Sequence, residues 1–320
     1  MWFATWTLQC CLRIMAFFGA LIMPKITDDN DGIHLAVRPQ CGLLSGNMSD
    51  VNAGVDLDAI KTIVSFGDSY TDGGGNHDGT PLAPPIIIPP NAQAGGRSTN
   101  GKVWVENIAH DIGATLMDYA TSSAVTNLSL WPSNPKPVDF LGEMAIFLNQ
   151  SNQLDPKTTL YTVFFGINDY EDSKIDGDHL PQAAQVIINQ IKILSSPPTD
   201  GRFFLITDVY GRGVHTTAGD AYVQSIFNGL HDLHAGSPYL NVAFADFARI
   251  WDGVLGPDPG YKAFGYTSTD SCVIGDGTST VGSCDDPEHY FYWIPGHPSK
   301  ETMRIMADYV EEVLTNCHVV

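Results

Sequence analysis

The stretch Ile63-Val64-Ser65-Phe66-Gly67-Asp68-Ser69-Tyr70-Thr71-Asp72 is an apolar β-run that stops at a glycine and at once presents an acidic residue and a serine. Placed at the C-terminal edge of a parallel sheet, where open α/β folds bind their ligands, Ser69 is a candidate nucleophile. A helix is expected to follow it, and the N-terminus of that helix favours negative charge nearby.

Outward from this segment, strand-like and helix-like runs alternate as in βα units with a mainly parallel sheet. Strands are predicted at 62–66, 115–119, 160–165, 202–207 and 241–246. Helices are predicted at 103–112, 138–148, 181–194, 220–233 and 301–314, the last with Ser299 as N-cap directly after Pro298. Two stretches break the rhythm. Gly73 to Gly96 carries a Gly73-Gly74-Gly75 run and the prolines between Pro81 and Pro90, which forbid a regular helix or a central strand. Gly253 to Asp286 is rich in Gly, Asp, Ser and Thr. Both are expected to be surface excursions that wall a binding site.

A chain of 320 residues accommodates one large α/β domain, and no linker argues for two. Residues 59–320 are expected to form that domain. Residues 1–23 read as a signal peptide or anchor, since the apolar run Ile14 to Met23 has the length of a secretory h-region and is too short to span a membrane. Residues 24–58 read as a poorly ordered leader. The formal charge of −20, from 16 Lys plus Arg against 36 Asp plus Glu, repels nucleic acid and anionic headgroups. With 43% hydrophobic and 16% charged residues the composition is that of a compact protein. Cys272 and Cys284 flank a loop that a secreted protein closes with a disulfide, and Cys41 and Cys317 near the termini are available for a second. Sequons at Asn47, Asn127 and Asn149 fit secretion. His231 and His234 share a helix face without any carboxylate-bearing metal motif and read as surface residues.

Three later segments follow the first in order: Ser98-Thr99-Asn100-Gly101-Lys102, Phe165-Gly166-Ile167-Asn168-Asp169 and His297-Pro298-Ser299. Together the four blocks resemble the GDSL, or SGNH, family of serine esterases and acylhydrolases. The resemblance implies a three-layer α/β/α sandwich with a mainly parallel central sheet, flavodoxin-like in layout. It also implies hydrolysis of a carboxylic ester through an acyl-serine intermediate. By the same resemblance Ser69 is the nucleophile, His297 the general base, and the oxyanion is held by Ser69 itself, the Gly101 backbone N–H and the Asn168 side-chain amide. Asp68 and Asp169 are expected to orient loop backbone. The Phe291-Tyr292-Trp293 ending and the Trp104-Val105-Glu106-Asn107 helix look like extracellular carbohydrate acetyl esterases of fungi.

The chain departs from the pattern at one place. The family usually has Asp three residues before the histidine, and here that position is Ile294. Orientation of His297 then falls to a backbone carbonyl around Ile294 or to a carboxylate elsewhere, with Asp285, Asp286 and Glu288 nearest in sequence. No G-x-S-x-G elbow surrounds Ser69, and no P-loop, dinucleotide fingerprint or zinc spacing is visible, so no cofactor and no metal is expected. The expected partner is a small-molecule or oligosaccharide ester, leading with acetylated sugars, with no nucleic acid and no stable membrane insertion of the mature domain. The alternatives are a lipid or other small-acyl esterase, and a non-catalytic carbohydrate-binding relative.

Overall fold

The computed structural model describes residues 32–237 and 239–319; the expected signal segment 1–23 lies outside them. The described elements, in chain order, are β1 (Val51–Ala53), β2 (Thr62–Gly67), α1 (Trp104–Ile112), β3 (Thr115–Asp118), α2 (Phe140–Asn149), β4 (Thr159–Phe164), α3 (Ile167–Asp176), α4 (Leu180–Leu194), β5 (Phe203–Asp208), α5 (Thr217–Gly236), β6 (Asn241–Asp246), α6 (Ala248–Leu255), β7 (Ser268–Ser271), β8 (Tyr290–Ile294), β9 (His297–Pro298) and α7 (Lys300–Asn316). Six strands form one sheet in the order β1-β6-β5-β4-β2-β3, parallel except for β1, which runs antiparallel to β6.

The central strands are apolar on both sides because both faces are covered. Val64, Phe66, Val163 and Ile206 point into a core shared with α2, α4 and α5. Ile63, Leu160, Phe164 and Leu205 point into a second core shared with α1, α6 and α7. The result is the three-layer α/β/α sandwich. Local signals fix the helix starts: Asp139 accepts the Gly142 N–H at 2.8 Å, Thr216 that of Gly219 at 3.1 Å, and Ser299 that of Thr302 at 3.3 Å.

The leader expected at 24–58 is corrected where it is described. From Ile33 onward the chain is built into the domain: Ile33, Leu44, Val51 and Val55 are buried, Cys41 is bonded to Cys317, and β1 extends the sheet. The Asp50 carboxylate, buried beside it, accepts the Tyr309 hydroxyl at 2.7 Å and the backbone N–H of Asp246 at 2.9 Å. A three-residue strand among Asn, Asp and Gly has too few apolar positions to show a period.

The two excursions join into one wall. Thr280 N–H donates to the Pro90 carbonyl at 2.8 Å, Ala92 N–H to that of Thr278 at 3.2 Å, and the Trp293 indole N–H to that of Ala92 at 2.6 Å. The Cys272–Cys284 disulfide closes the second excursion. That excursion also holds β7, which with β8 and β9 makes a small second sheet.

Candidate active site

Chain connections leave β2 toward β3 on one side and return to β4 on the other, so the strand order reverses between β2 and β4. A crevice opens at such a switch point, at the C-terminal ends of those strands. Ser69 follows β2, and Asn168 follows β4.

The expected helix after Ser69 is a single turn: the N–H groups of Thr71 and Asp72 both reach the Asp68 carbonyl, at 3.0 and 2.9 Å, and the glycine run at 73–75 prevents propagation. Gly67 allows this tight return, since a Cβ there would lie 2.8 Å from Thr71 Oγ1 and 2.9 Å from the Phe164 carbonyl oxygen. The turn is anchored from α1 by the Trp104 indole N–H, 3.1 Å from Thr71 Oγ1, and from within by Asp68, whose Oδ1 accepts the Tyr70 N–H at 3.0 Å. Ser69 is left 9% exposed.

His297, 228 residues further on, comes from β9, and its Nε2 lies 2.9 Å from Ser69 Oγ. Its Nδ1 lies 3.0 Å from the Pro295 carbonyl oxygen. A carbonyl only accepts, so Nδ1 carries the proton and Nε2 offers its lone pair to the serine hydroxyl. Enclosure pushes the imidazole pKa down to about 4; the positive charges of Arg212 and Lys136 push the same way, and the Pro295 carbonyl opposes them.

None of Asp285, Asp286 and Glu288 reaches His297 among the described contacts. Asp286 binds His289 Nδ1 at 2.8 Å, Glu288 faces Lys300 Nζ at 3.7 Å, and Asp285 is exposed. Ile294 is buried in a small apolar cluster with Ala92, Cys272, Val273 and Trp293. A Cβ at Gly277 would stand 3.1 Å from both Ile294 Cβ and Pro295 Cδ, so the excursion packs directly on this position. Where the resemblance places an acid, this chain anchors its wall.

Asn168 sits in the first turn of α3. Its Nδ2 donates to the Ala124 carbonyl at 2.9 Å, which fixes the amide and leaves a second N–H on the same nitrogen. Its neighbour Asp169, fully buried, accepts the Thr126 N–H at 3.0 Å and the Trp131 indole N–H at 2.6 Å. Burial raises Asp169 to about 6 and Asp68 to about 7. Through these hydrogen bonds both acids hold loop backbone, Asp68 at Tyr70 and Asp169 at Thr126. Gly101 packs against the first residue of α7. A Cβ there would meet Lys300 Cβ at 2.7 Å, and the residue lines a cavity of about 540 Å³ between α1 and α7 whose walls include neither Ser69 nor His297.

Tyr70 and Arg212 were not foreseen. The Tyr70 hydroxyl donates to the Gly296 carbonyl at 2.6 Å, and Arg212 Nη1 lies 3.5 Å from the same oxygen. Tyr70 adjoins the serine in sequence, which was its only signal; Arg212, between two glycines of a loop, had none. Among the described residues no group of three or more His, Cys, Asp or Glu side chains is placed to hold a metal ion, and no helix is long and apolar enough to cross a membrane.

Among known proteins, the chain is similar to an acetylesterase of Hypocrea jecorina, with 27% identity over 176 residues, covering 47% of this chain and 48% of that protein. It thus spans about half the length of that relative. Similar solved structures include a carbohydrate esterase family 2 enzyme with a carbohydrate-binding domain from Corynascus thermopiles (13% identity, 80% of this chain and 66% of that one, TM-score 0.47). Another is a lipolytic protein of the G-D-S-L family from Veillonella parvula (16% identity, 80% and 99% coverage, TM-score 0.43). The model of the GDSL-like lipase/acylhydrolase family matches residues 63–310, from the β2 strand to the last helix, and the chain belongs to that family.

Proposed function

We propose that this protein is a carboxylic ester hydrolase that uses a Ser69–His297 dyad to release small acyl groups, acetyl foremost, from sugars. The observation that carries the reading is the 2.9 Å hydrogen bond between Ser69 Oγ and His297 Nε2, in a histidine whose other nitrogen is already committed to a carbonyl. Ser69 Oγ attacks the acyl carbon while its proton passes to Nε2. The oxyanion that develops takes a hydrogen bond from Asn168 Nδ2 and, as the resemblance implies, from the backbone N–H groups of Ser69 and Gly101. On collapse the C–O bond to the alcohol breaks and His297 returns the proton to the leaving oxygen. A water then repeats the sequence on the acyl-serine, with His297 accepting its proton, and frees the carboxylate.

The acetyl preference is supported by the acetylesterase relative, and the two disulfides support folding in an oxidising, extracellular compartment. Purified protein should release acetate from acetylated xylo-oligosaccharides, and in a p-nitrophenyl ester series kcat/KM should fall as the acyl chain lengthens. Ser69→Ala should lower both activities by roughly 10⁴-fold or more without loss of folding. A folded Ser69→Ala variant with near wild-type turnover would end this reading.

A further inference from the structure

The dyad leaves a mechanical problem. A triad acid is a charged acceptor on its own rigid element, whereas the acceptor here is the Pro295 carbonyl, two residues before the histidine, at the start of the turn between β8 and β9. A peptide in a short turn orients an imidazole only if the turn itself is fixed. Gly296, at the apex, has φ +71, and its carbonyl receives the Tyr70 hydroxyl at 2.6 Å with Arg212 Nη1 behind it at 3.5 Å. A Cβ at Gly296 would stand 2.8 Å from Arg212 Nη1, so the guanidinium lies directly against the apex.

Tyr70 is suited to hold a turn. Its ring is fully buried and stacked on Phe164 (centroids 5.7 Å, 13°) and on Trp251 (5.8 Å, 25°), so the hydroxyl has one position. The same residue follows Ser69 in the chain, and its backbone N–H is tied to Asp68. One residue therefore joins the turn that carries the nucleophile to the turn that carries the base.

We propose that Tyr70 is a positioning residue for the reaction: its hydroxyl pins the Gly296 carbonyl, which aims the Pro295 carbonyl at His297 Nδ1 and sets His297 Nε2 at hydrogen-bonding distance from Ser69. Arg212, held from its other side by Glu171 at 3.3 Å, seconds it. The pair does the mechanical work of the missing acid by fixing the acceptor. This proposal rests on the Ser69–His297 reading.

Tyr70→Phe removes the hydroxyl and keeps the stacked ring. Misplacing a catalytic group by about 1 Å costs up to roughly 10² in rate, so kcat should fall about 10- to 100-fold with KM changed less than about two-fold. Labelling of Ser69 by an organophosphorus probe should slow by a similar factor, and the His297 Nδ1 proton resonance should shift upfield and exchange faster. Thermal midpoint should stay close to that of the wild type. Arg212→Lys, which keeps a donor, should lose less than Arg212→Met. Wild-type kcat, labelling rate and Nδ1 proton signal in a folded Tyr70→Phe variant would overturn the proposal while leaving the dyad intact. So would a fall in kcat that tracks a lowered thermal midpoint and leaves the Nδ1 proton unmoved, since that is a packing effect alone. Full activity in Ser69→Ala would instead remove the reading beneath it.

Discussion

In the proposed reaction two side chains beside the nucleophile, His297 and Asn168, set the rate. Burial, with smaller help from the charges of Arg212 and Lys136 and against the Pro295 carbonyl, pushes the His297 pKa down to about 4 from the ordinary 6.5. The base must be neutral to accept the serine proton, and kcat/KM reports the free enzyme. A histidine of pKa about 4 is already neutral at pH 5, so the acid limb should fall near pH 4 and the profile should be flat above roughly pH 5. Lys136→Met removes one repelling charge and should move that limb upward by a few tenths of a unit; a limb that stays near 6.5 in the parent protein would mean that the imidazole is well solvated in the free enzyme. Asn168 carries the second decision. Asn168→Ala should lower kcat by about 10²- to 10³-fold with little change in KM, measured on a neutral ester, and a loss confined to KM would make it a binding group. Ser69, His297 and Asn168 were named from the four-block resemblance, and the fold brings Ser69 and His297 within hydrogen-bonding distance across 228 residues of chain. Tyr70 was legible only as a neighbour, since a buried tyrosine reads as core until its hydroxyl is seen to have a partner.

Long elements with an apolar period were readable, while α6, only eight residues long, and α3, with acids on its buried face, were not. The pattern over 301–314 matches α7, where Met303, Ile305, Met306, Val310 and Val313 are buried at helical spacing. α3 was missed because its buried side includes Asp169 and Asp172 as well as Ile167 and Tyr170, which erases the hydrophobic signal although the helix is ten residues long. The Ile294 position shows the complementary limit: the sequence reveals that an acid is missing, while only the fold reveals that the wall formed by the two excursions rests there. Restoring the family residue should therefore fail. Ile294→Asp places a carboxylate among Ala92, Cys272, Val273 and Trp293 and opens the space under Gly277. It should cost about 2–5 kcal/mol of stability, read by denaturant unfolding, and lower kcat/KM. A rise in activity with unchanged stability would mean that the acid can be accommodated and that the carbonyl is a poor substitute.

At the scale of the whole molecule, the sequence showed a charge of −20 but not where the acids go. Several are inside. Burial, as the leading cause, raises Asp68 to about 7, Asp169 to about 6, Asp246 to about 7 and Glu301 to about 7, all four aided or opposed by smaller interactions with their neighbours. Below the unfolded values of 3.8 for Asp and 4.5 for Glu both states hold the protons, and the contribution of these groups to stability is fully present. As pH rises toward 7 the unfolded chain ionises freely, whereas the folded chain must keep protons it would otherwise release or carry charge in a poorly solvated place, so stability is lost across this window. His297 acts in the opposite sense, favouring the folded state as pH rises from about 4 to 6.5, but it is one group against four. Self-repulsion of the net charge left by 36 acidic residues against 16 basic ones also weakens as the acids protonate. The thermal midpoint should therefore be highest in mildly acidic buffer, near pH 5, and fall by about 5 °C or more by pH 8. Calorimetry across that range at constant ionic strength measures it, and Asp68→Asn, which removes one of the titrating groups, should flatten the slope. A midpoint that climbs steadily from pH 5 to pH 8 would mean that these carboxylates ionise inside the fold at little cost, stabilised by the donors around them more than burial opposes.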